Sequence, residues 1–183
     1  MEVIISIVLL GMVAAVGTSM LKDTFDTART VNADNASAGQ ARYALERLAR
    51  EIREVKFAST SNGTTCSNAT SGYCITAPAT LPAPASPLTV SSAAPLTFDN
   101  GANASVSITV TTDANGLTKT LNLNGYALCS NVTSLLAVFY DISDSAAAPT
   151  MSTVRFVQLT LTVTDPTSGQ ITAQRTRVAL RNE

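Results

Sequence analysis

The amino-terminal segment constrains the fold more than any other part of this chain, because residues 3–21 (VIISIVLLGMVAAVGTSML) carry no charged side chain. As a helix they would rise about 28 Å, close to the roughly 30 Å hydrocarbon core of a bilayer. The segment is apolar on almost every side, whereas a helix in a soluble core keeps a polar stripe. A cleaved secretory signal would carry a basic residue ahead of its apolar stretch, and here Met1 and Glu2 precede it. A plain membrane anchor remains open, with Lys22 just beyond its end.

Glu2 lies at the edge of this apolar segment. A carboxylate at that position is costly if it is buried without a partner. Two interpretations are open. The side chain lies among the lipid headgroups and is solvated, or it meets a cation from another chain once the segment leaves the lipid.

A second helical pattern, amphipathic rather than apolar, covers residues 23–57. Its apolar side chains are spaced by four, three, four and three residues, which places on one helix face Ala41, Leu45, Leu48, Ile52 and Val55. The rest of the surface carries pairs of opposite charge at i,i+4 spacing, namely Arg42–Glu46, Glu46–Arg50, Arg47–Glu51 and Arg50–Glu54. We interpret the charged face as solvated and the apolar stripe as a packing surface.

The two helical segments are predicted to be continuous, because no proline occurs between residues 1 and 77. One helix over about residues 1–57 would be roughly 85 Å long. Gly11 and Gly17 are weak points in its apolar part, since a glycine inside a helix costs about 1 kcal/mol relative to alanine. The remaining chain is too small to bury such a helix, so part of it must enter a bilayer or contact other copies.

Residues 58–104 are rich in Ser, Thr, Ala, Asn and Pro and are predicted to form a loop region. Helix is excluded there by Pro82, Pro84, Pro87 and Pro95. The spacing of Cys66 and Cys74 allows a local disulfide, although three pairings are possible once Cys129 is included. Three isolated cysteines without a histidine form a poor ligand set, and we assign no metal site.

Residues 105–183 are predicted to form an antiparallel sheet with one apolar face. Apolar and polar residues alternate around Val106, Ile108, Val110, Leu121, Leu123, Val157, Leu159, Leu161 and Val163. Asn115-Gly116 is a hairpin signal, Ser134–Tyr140 is typical of a central strand, and a turn at residues 165–169 leads to a last strand, Ile171–Leu180. The helix stripe is available to cover this face. The predicted fold class is therefore α+β, with a long protruding helix whose C-terminal half packs on the sheet.

Composition excludes several functions. The chain has no histidine, which removes Ser-His-Asp and Cys-His catalysis and His-ligated zinc. Its net charge of −1 argues against nucleic acid as the primary partner, since phosphate binding needs a clustered excess of Lys and Arg. The sequence contains no identifiable acid pair, nucleophile–base set or phosphate loop, so we predict neither an enzyme nor a cofactor.

The order of these features resembles the type IV pilins and the related type II secretion pseudopilins. The resemblance rests on Glu2 inside an apolar start, on an uncharged helix with an amphipathic continuation, and on a sheet laid over that helix. Residues 42–53 (RYALERLAREIR) and the ending VALRN at residues 178–182 are similar to minor pilins and J-type pseudopilins. In that family a prepilin peptidase removes a leader, the new terminus is N-methylated and the glutamate is the hallmark. The resemblance implies that the processed terminus lies a few residues upstream of Met1.

The resemblance further implies a structural filament subunit. Residues 1–22 would span the inner membrane and then form the filament core, with lipid replaced by neighbouring copies around Val3, Ile4, Ile5, Ile7, Val8, Leu9, Leu10 and Val13. Glu2 would meet the terminal amine of an adjacent subunit and set the register. Many major pilins have a helix-kinking proline near the end of this segment, and here Gly11 and Gly17 would supply flexibility instead.

The implied partners are copies of the chain or other pilins, the inner membrane before assembly, and the pilus assembly machinery. The filament would be extracellular at the cell surface, or a periplasmic pseudopilus. Alternatives that remain open are a minor pseudopilin of a type II secretion system and a membrane-anchored periplasmic binding domain that never polymerises. Motility, adhesion, DNA uptake and secretion all use this architecture, and the sequence does not choose among them.

Overall fold

A computed structural model describes residues 2–58, 66, 72–101, 104–145 and 147–181, without the side chains of Glu2, Val3 and Val16. One helix, α1 (Glu2–Arg53), precedes all the strands of this part of the chain. The strands are β1 (Phe57–Ala58), β2 (Gly72–Tyr73), β3 (Ile75–Ala77), β4 (Leu88–Thr89), β5 (Leu96–Asp99), β6 (Ser105–Thr112), β7 (Lys119–Leu123), β8 (Tyr126–Cys129), β9 (Val132–Tyr140), β10 (Phe156–Thr164) and β11 (Ile171–Ala179). The predicted α+β class is confirmed.

The strands form three antiparallel sheets. A four-stranded sheet has the order β11-β10-β9-β4, a five-stranded sheet has the order β3-β5-β6-β7-β8, and β1 pairs with β2. Strand β9 lies between β10 and β4, which agrees with the central position that its continuous apolar sequence predicts. The last strand, β11, pairs with β10 along all nine residues and is an edge strand of its sheet.

Helix α1 runs without interruption for 52 residues, or about 78 Å. It ends at Arg53, a few residues before the predicted end near Phe57, because the next backbone groups bond to the loops of the sheets. Val55 forms an isolated bridge with Asn100, and the Lys56 amide donates to the Asp99 carbonyl at 2.9 Å. The chain then enters β1 in an extended conformation.

The hydrophobic core lies between the last third of α1 and the sheets. The predicted stripe is buried, with at most 5% exposure at Ala41, Leu45, Leu48, Ile52 and Val55. The helix packs on β11, β10 and β8. Strand β10 presents to this core the alternating apolar side chains that the sequence indicates, Val157, Leu159, Leu161 and Val163.

The single sheet predicted over residues 105–183 is divided between two sheets in the structure. Strands β8 and β9 follow each other in the chain but do not pair, because the chain turns at Asn131, whose φ is 56°, and crosses to the other sheet. Residues 58–104 also contribute strands: β4 pairs with β9, and β5 pairs with β6. These strands have two to four residues, too few for a period-two pattern to stand out.

The predicted turns are present. The Asn115-Gly116 pair lies in the connection between β6 and β7, where Gly116 has a φ of 71°. The carboxylate of Asp113 closes this loop by accepting the amides of Leu117 and Thr118, at 3.1 and 3.3 Å. Residues 165–169 form the turn between β10 and β11.

Candidate functional site: the exposed apolar half of helix α1

The amino-terminal part of α1 stands clear of the sheets with its apolar side chains in the open. At least half of each side chain is exposed at Ile4, Ile5, Ile7, Val8, Leu9, Leu10 and Val13, which are the predicted filament-core residues whose side chains the structure describes. Val3 belongs to the same helix, but its side chain lies outside the described part. An isolated globular protein rarely exposes so large a continuous apolar surface, which indicates contact with lipid or with another chain.

This segment is long and apolar enough to cross a membrane. An 18-residue window has a mean hydropathy of 2.3 and no buried residue. The hydroxyl of Thr18 donates to the carbonyl of Ala14 at 2.8 Å, so this polar group is satisfied inside the helix itself. Internal satisfaction is what a segment in a medium without water requires.

Glu2 begins the helix as the structure describes it, and its side chain lies outside the described residues. Its role in register therefore stays a prediction.

Gly11 and Gly17 lie within unbroken helix, and a Cβ atom built at either position would meet no atom within 4 Å. Packing inside the subunit therefore does not require glycine at these positions. Small residues on a lipid-exposed helix allow a second helix to approach closely. The flexibility predicted for these two positions stays a prediction.

The sheets begin to contact α1 about 45 Å from its exposed end. The hydroxyl of Ser168, in the turn between β10 and β11, donates to the Oδ1 atom of Asp34 at 2.7 Å. Ala41 is the first fully buried residue of the helix. The Asp34–Ser168 bond fixes this end of the sheet to the helix, and the sequence offers no signal that relates two residues 134 positions apart.

Two of the three cysteines form a local disulfide, and the third has a free thiol. Cys66 and Cys74 are joined, with their Cα atoms 5.4 Å apart. Cys129 is free and buried, and burial raises the pKa of its thiol. A buried neutral thiol is a poor nucleophile, so Cys129 has the environment of a core residue.

The carboxylate of Asp141 stabilises the turn that follows β9. Asp141 Oδ1 accepts the amide and hydroxyl of Ser143 and the amide of Ser145, at 2.9 to 3.1 Å. These bonds hold the pKa of the Asp141 carboxyl below its usual range. Across the described residues, no three His, Cys, Asp or Glu side chains are grouped to hold a metal ion, and no buried side-chain oxygen or nitrogen is without a hydrogen-bond partner.

Arg177 forms a cluster with two aromatic rings and one aspartate on the four-stranded sheet, and no local sequence pattern predicts it. The guanidinium of Arg177 lies over the rings of Tyr140 and Phe156, 4.8 and 4.4 Å from their centroids, and pairs with Asp144. Tyr140 and Phe156 are directly opposite in the β9–β10 ladder, and β11 brings Arg177 beside them. The cluster fastens the loop after β9 to the sheet.

No known family model matches this chain, and neither the curated proteins nor the solved structures contain a significant match. What the structure supports is the coarser statement. One long apolar helix at the amino terminus is followed by antiparallel sheets, an arrangement compatible with a pilin-like architecture.

Proposed function

We propose that this chain is a structural subunit of a helical filament of the type IV pilus kind, assembled through the apolar half of α1. The observation that carries the proposal is that one continuous helix has two unlike halves. Residues 4–15 and 18–21 are exposed and largely apolar, whereas Ala41, Leu45, Leu48 and Ile52 are buried under the sheets. The proposed partners are further copies or other pilins, the inner membrane before assembly, the assembly machinery and the prepilin peptidase.

The physical basis is an exchange of apolar neighbours. Lipid solvates the apolar segment before assembly, and the same segment of adjacent copies surrounds it afterwards, so the surface is never exposed to water. Such an exchange has no strong preference for one axial position. An unpaired carboxylate in an apolar bundle costs several kcal/mol, so Glu2 disfavours every register that leaves it without a cation.

A plain membrane anchor for a periplasmic binding domain is the second candidate, because a helix able to cross a membrane supports it equally. The two proposals differ at Glu2. An anchor gains nothing from a carboxylate at the edge of its apolar segment, whereas filament assembly depends on it. A minor pseudopilin would share the dependence on Glu2 but would form a short periplasmic structure with other subunits.

The test compares Glu2→Gln with Glu46→Gln in the full-length chain expressed with its assembly machinery. Glu46 is an exposed carboxylate on the same helix and serves as the matched control. We expect Glu2→Gln to lower the yield of sheared filaments by about tenfold or more, because the terminal amine of the adjacent subunit would be buried without a counter-charge. The control should keep the wild-type yield. Electron microscopy identifies the filaments, and membrane fractionation verifies that both variants insert. Dispersed wild-type monomers, or full filament yield from Glu2→Gln, would contradict the proposal.

A further inference from the structure

A basic groove lies at the end of α1 that is farthest from the apolar segment. It has a volume of about 430 Å³ and is lined by Arg50, Arg53, Glu54, Ala179 and Arg181. Its lining includes three arginines and one glutamate. The groove separates the last turn of the helix from the end of β11.

The charge of this groove exceeds what the helix itself uses. Cations in the last turn of a helix interact favourably with its dipole, which accounts in part for Arg50 and Arg53. The i,i+4 partners available to Arg50 are Glu46 and Glu54, yet the ion pair that forms on the described part of α1 is Arg47–Glu51, at 2.6 Å. Arg50 and Arg53 are both exposed.

The complementary charges occur on the same helix, just beyond the apolar segment. Asp23 and Asp26 are exposed, and they lie three residues apart, the same spacing as Arg50 and Arg53. The backbone carbonyls of the two aspartates accept hydrogen bonds from the hydroxyls of Thr27 and Thr30, respectively. In the part of the chain that the structure describes, neither carboxylate is in an ion pair.

We propose that the Asp23–Asp26 turn of one copy docks in the basic groove of a second copy, with Asp23 facing Arg50 and Asp26 facing Arg53. The inference rests on the proposed function, since copies drawn from one membrane have parallel helices. The pairing sets a stagger of 27 residues, or about 40 Å along the helix axis.

Two longer staggers place like charges together. A stagger longer by one residue brings Asp23 against Glu51 and Asp26 against Glu54, and a stagger longer by four brings Asp23 against Glu54. Like-charge contacts across an interface suppress wrong pairings. The groove therefore disfavours these two staggers, outside the apolar core and independently of Glu2.

The first test is a charge exchange in the full-length chain. One variant carries Asp23→Arg and Asp26→Arg, a second carries Arg50→Glu and Arg53→Glu, and a third carries all four. We expect each double variant to lose about tenfold or more of the filament yield, and the fourfold variant to recover most of it. A control with Arg42→Glu and Arg175→Glu reverses two exposed arginines outside the groove and should assemble.

The second test locates the contact directly. Asp26→Cys and Arg53→Cys are combined in one chain and co-assembled with the wild-type chain, and mild oxidation should give disulfide-linked oligomers from filaments. The pair Asp26→Cys with Arg42→Cys, displaced along the helix, should not cross-link. If the wild-type chain forms filaments, both double variants assemble equally well and no cross-link appears, this inference alone is overturned. Absence of wild-type filaments would overturn the proposed function and this inference with it.

Discussion

Truncation of Leu48 to alanine tests the packing of α1 on the sheets. Leu48 is fully buried in the middle of the apolar stripe. The change removes three carbon atoms, which at about 0.8 kcal/mol for each buried carbon group amounts to roughly 2.4 kcal/mol. The cavity that remains adds to this loss, and we expect the free energy of unfolding to fall by about 3 to 5 kcal/mol.

The expected shift in melting temperature is large enough to measure in the intact protein. For a chain of this size, about 1 kcal/mol corresponds to roughly 2 to 4 °C, so Leu48→Ala should lower the Tm by about 6 to 20 °C. The assay is thermal unfolding of the full-length chain in detergent, followed by the β-sheet signal in circular dichroism. Detergent covers the apolar half of the helix, which lies outside the core and should not contribute to the difference.

The control is Tyr43→Ala, which truncates a larger side chain on the opposite face of the same helix. Tyr43 is 62% exposed, and we expect its loss to change the Tm by no more than about 2 °C. Equal shifts for the two variants would refute the argument that one face of α1 is the core of the domain. A Tm unchanged by Leu48→Ala would refute it as well.

Two further predictions concern turns of the sheet domain. Gly72 has a φ of 118°, and a Cβ atom there would lie 2.7 Å from the carbonyl carbon and oxygen of Met151. Gly72→Ala should therefore lower the free energy of unfolding by about 2 kcal/mol or more, measured by thermal unfolding. Gly116 has a φ of 71° and open space around it, so Gly116→Ala should cost less. Asp165 has a pKa below its usual range because the backbone amides of Ser168 and Thr167 donate to its carboxylate. The folded state thus binds its proton less readily than the unfolded state, so this stabilisation is present above about pH 4 and is lost as the pH falls through the lowered pKa. Stability measured from pH 7 to 2 should therefore fall more steeply for the wild type than for Asp165→Asn, and parallel profiles would contradict the prediction.

The fold was largely predictable where periodicity extends over several turns or strands. The stripe from Ala41 to Val55 and the alternation along β10 each repeat often enough to fix which face is buried. The short strands between residues 58 and 104 were not predictable, because two to four residues carry no period. Their places are decided by pairing with β6 and β9, which is a tertiary effect.

The candidate site was predictable in part, for a related reason. Composition alone identifies an apolar segment without charges, and the exposure of Leu10 and Val13 agrees with it. The contacts that join distant parts of the chain, Asp34 with Ser168 and Arg177 with Tyr140 and Phe156, have no local signature. They depend on the path of β10 and β11 across the helix, which a single sequence does not reveal.

The distribution of charge along α1 indicates how apolar helices could assemble with a defined register. Contacts among apolar side chains are non-directional, so such helices slide past one another at little cost. Small residues such as Gly11 and Gly17 allow close approach but leave the axial position open. The axial position must therefore come from the few charges on the helix, at Glu2 and beyond Leu21. In the proposed filament, the uncharged segment therefore supplies the close packing of helices, and a handful of carboxylates and guanidinium groups supplies the axial geometry.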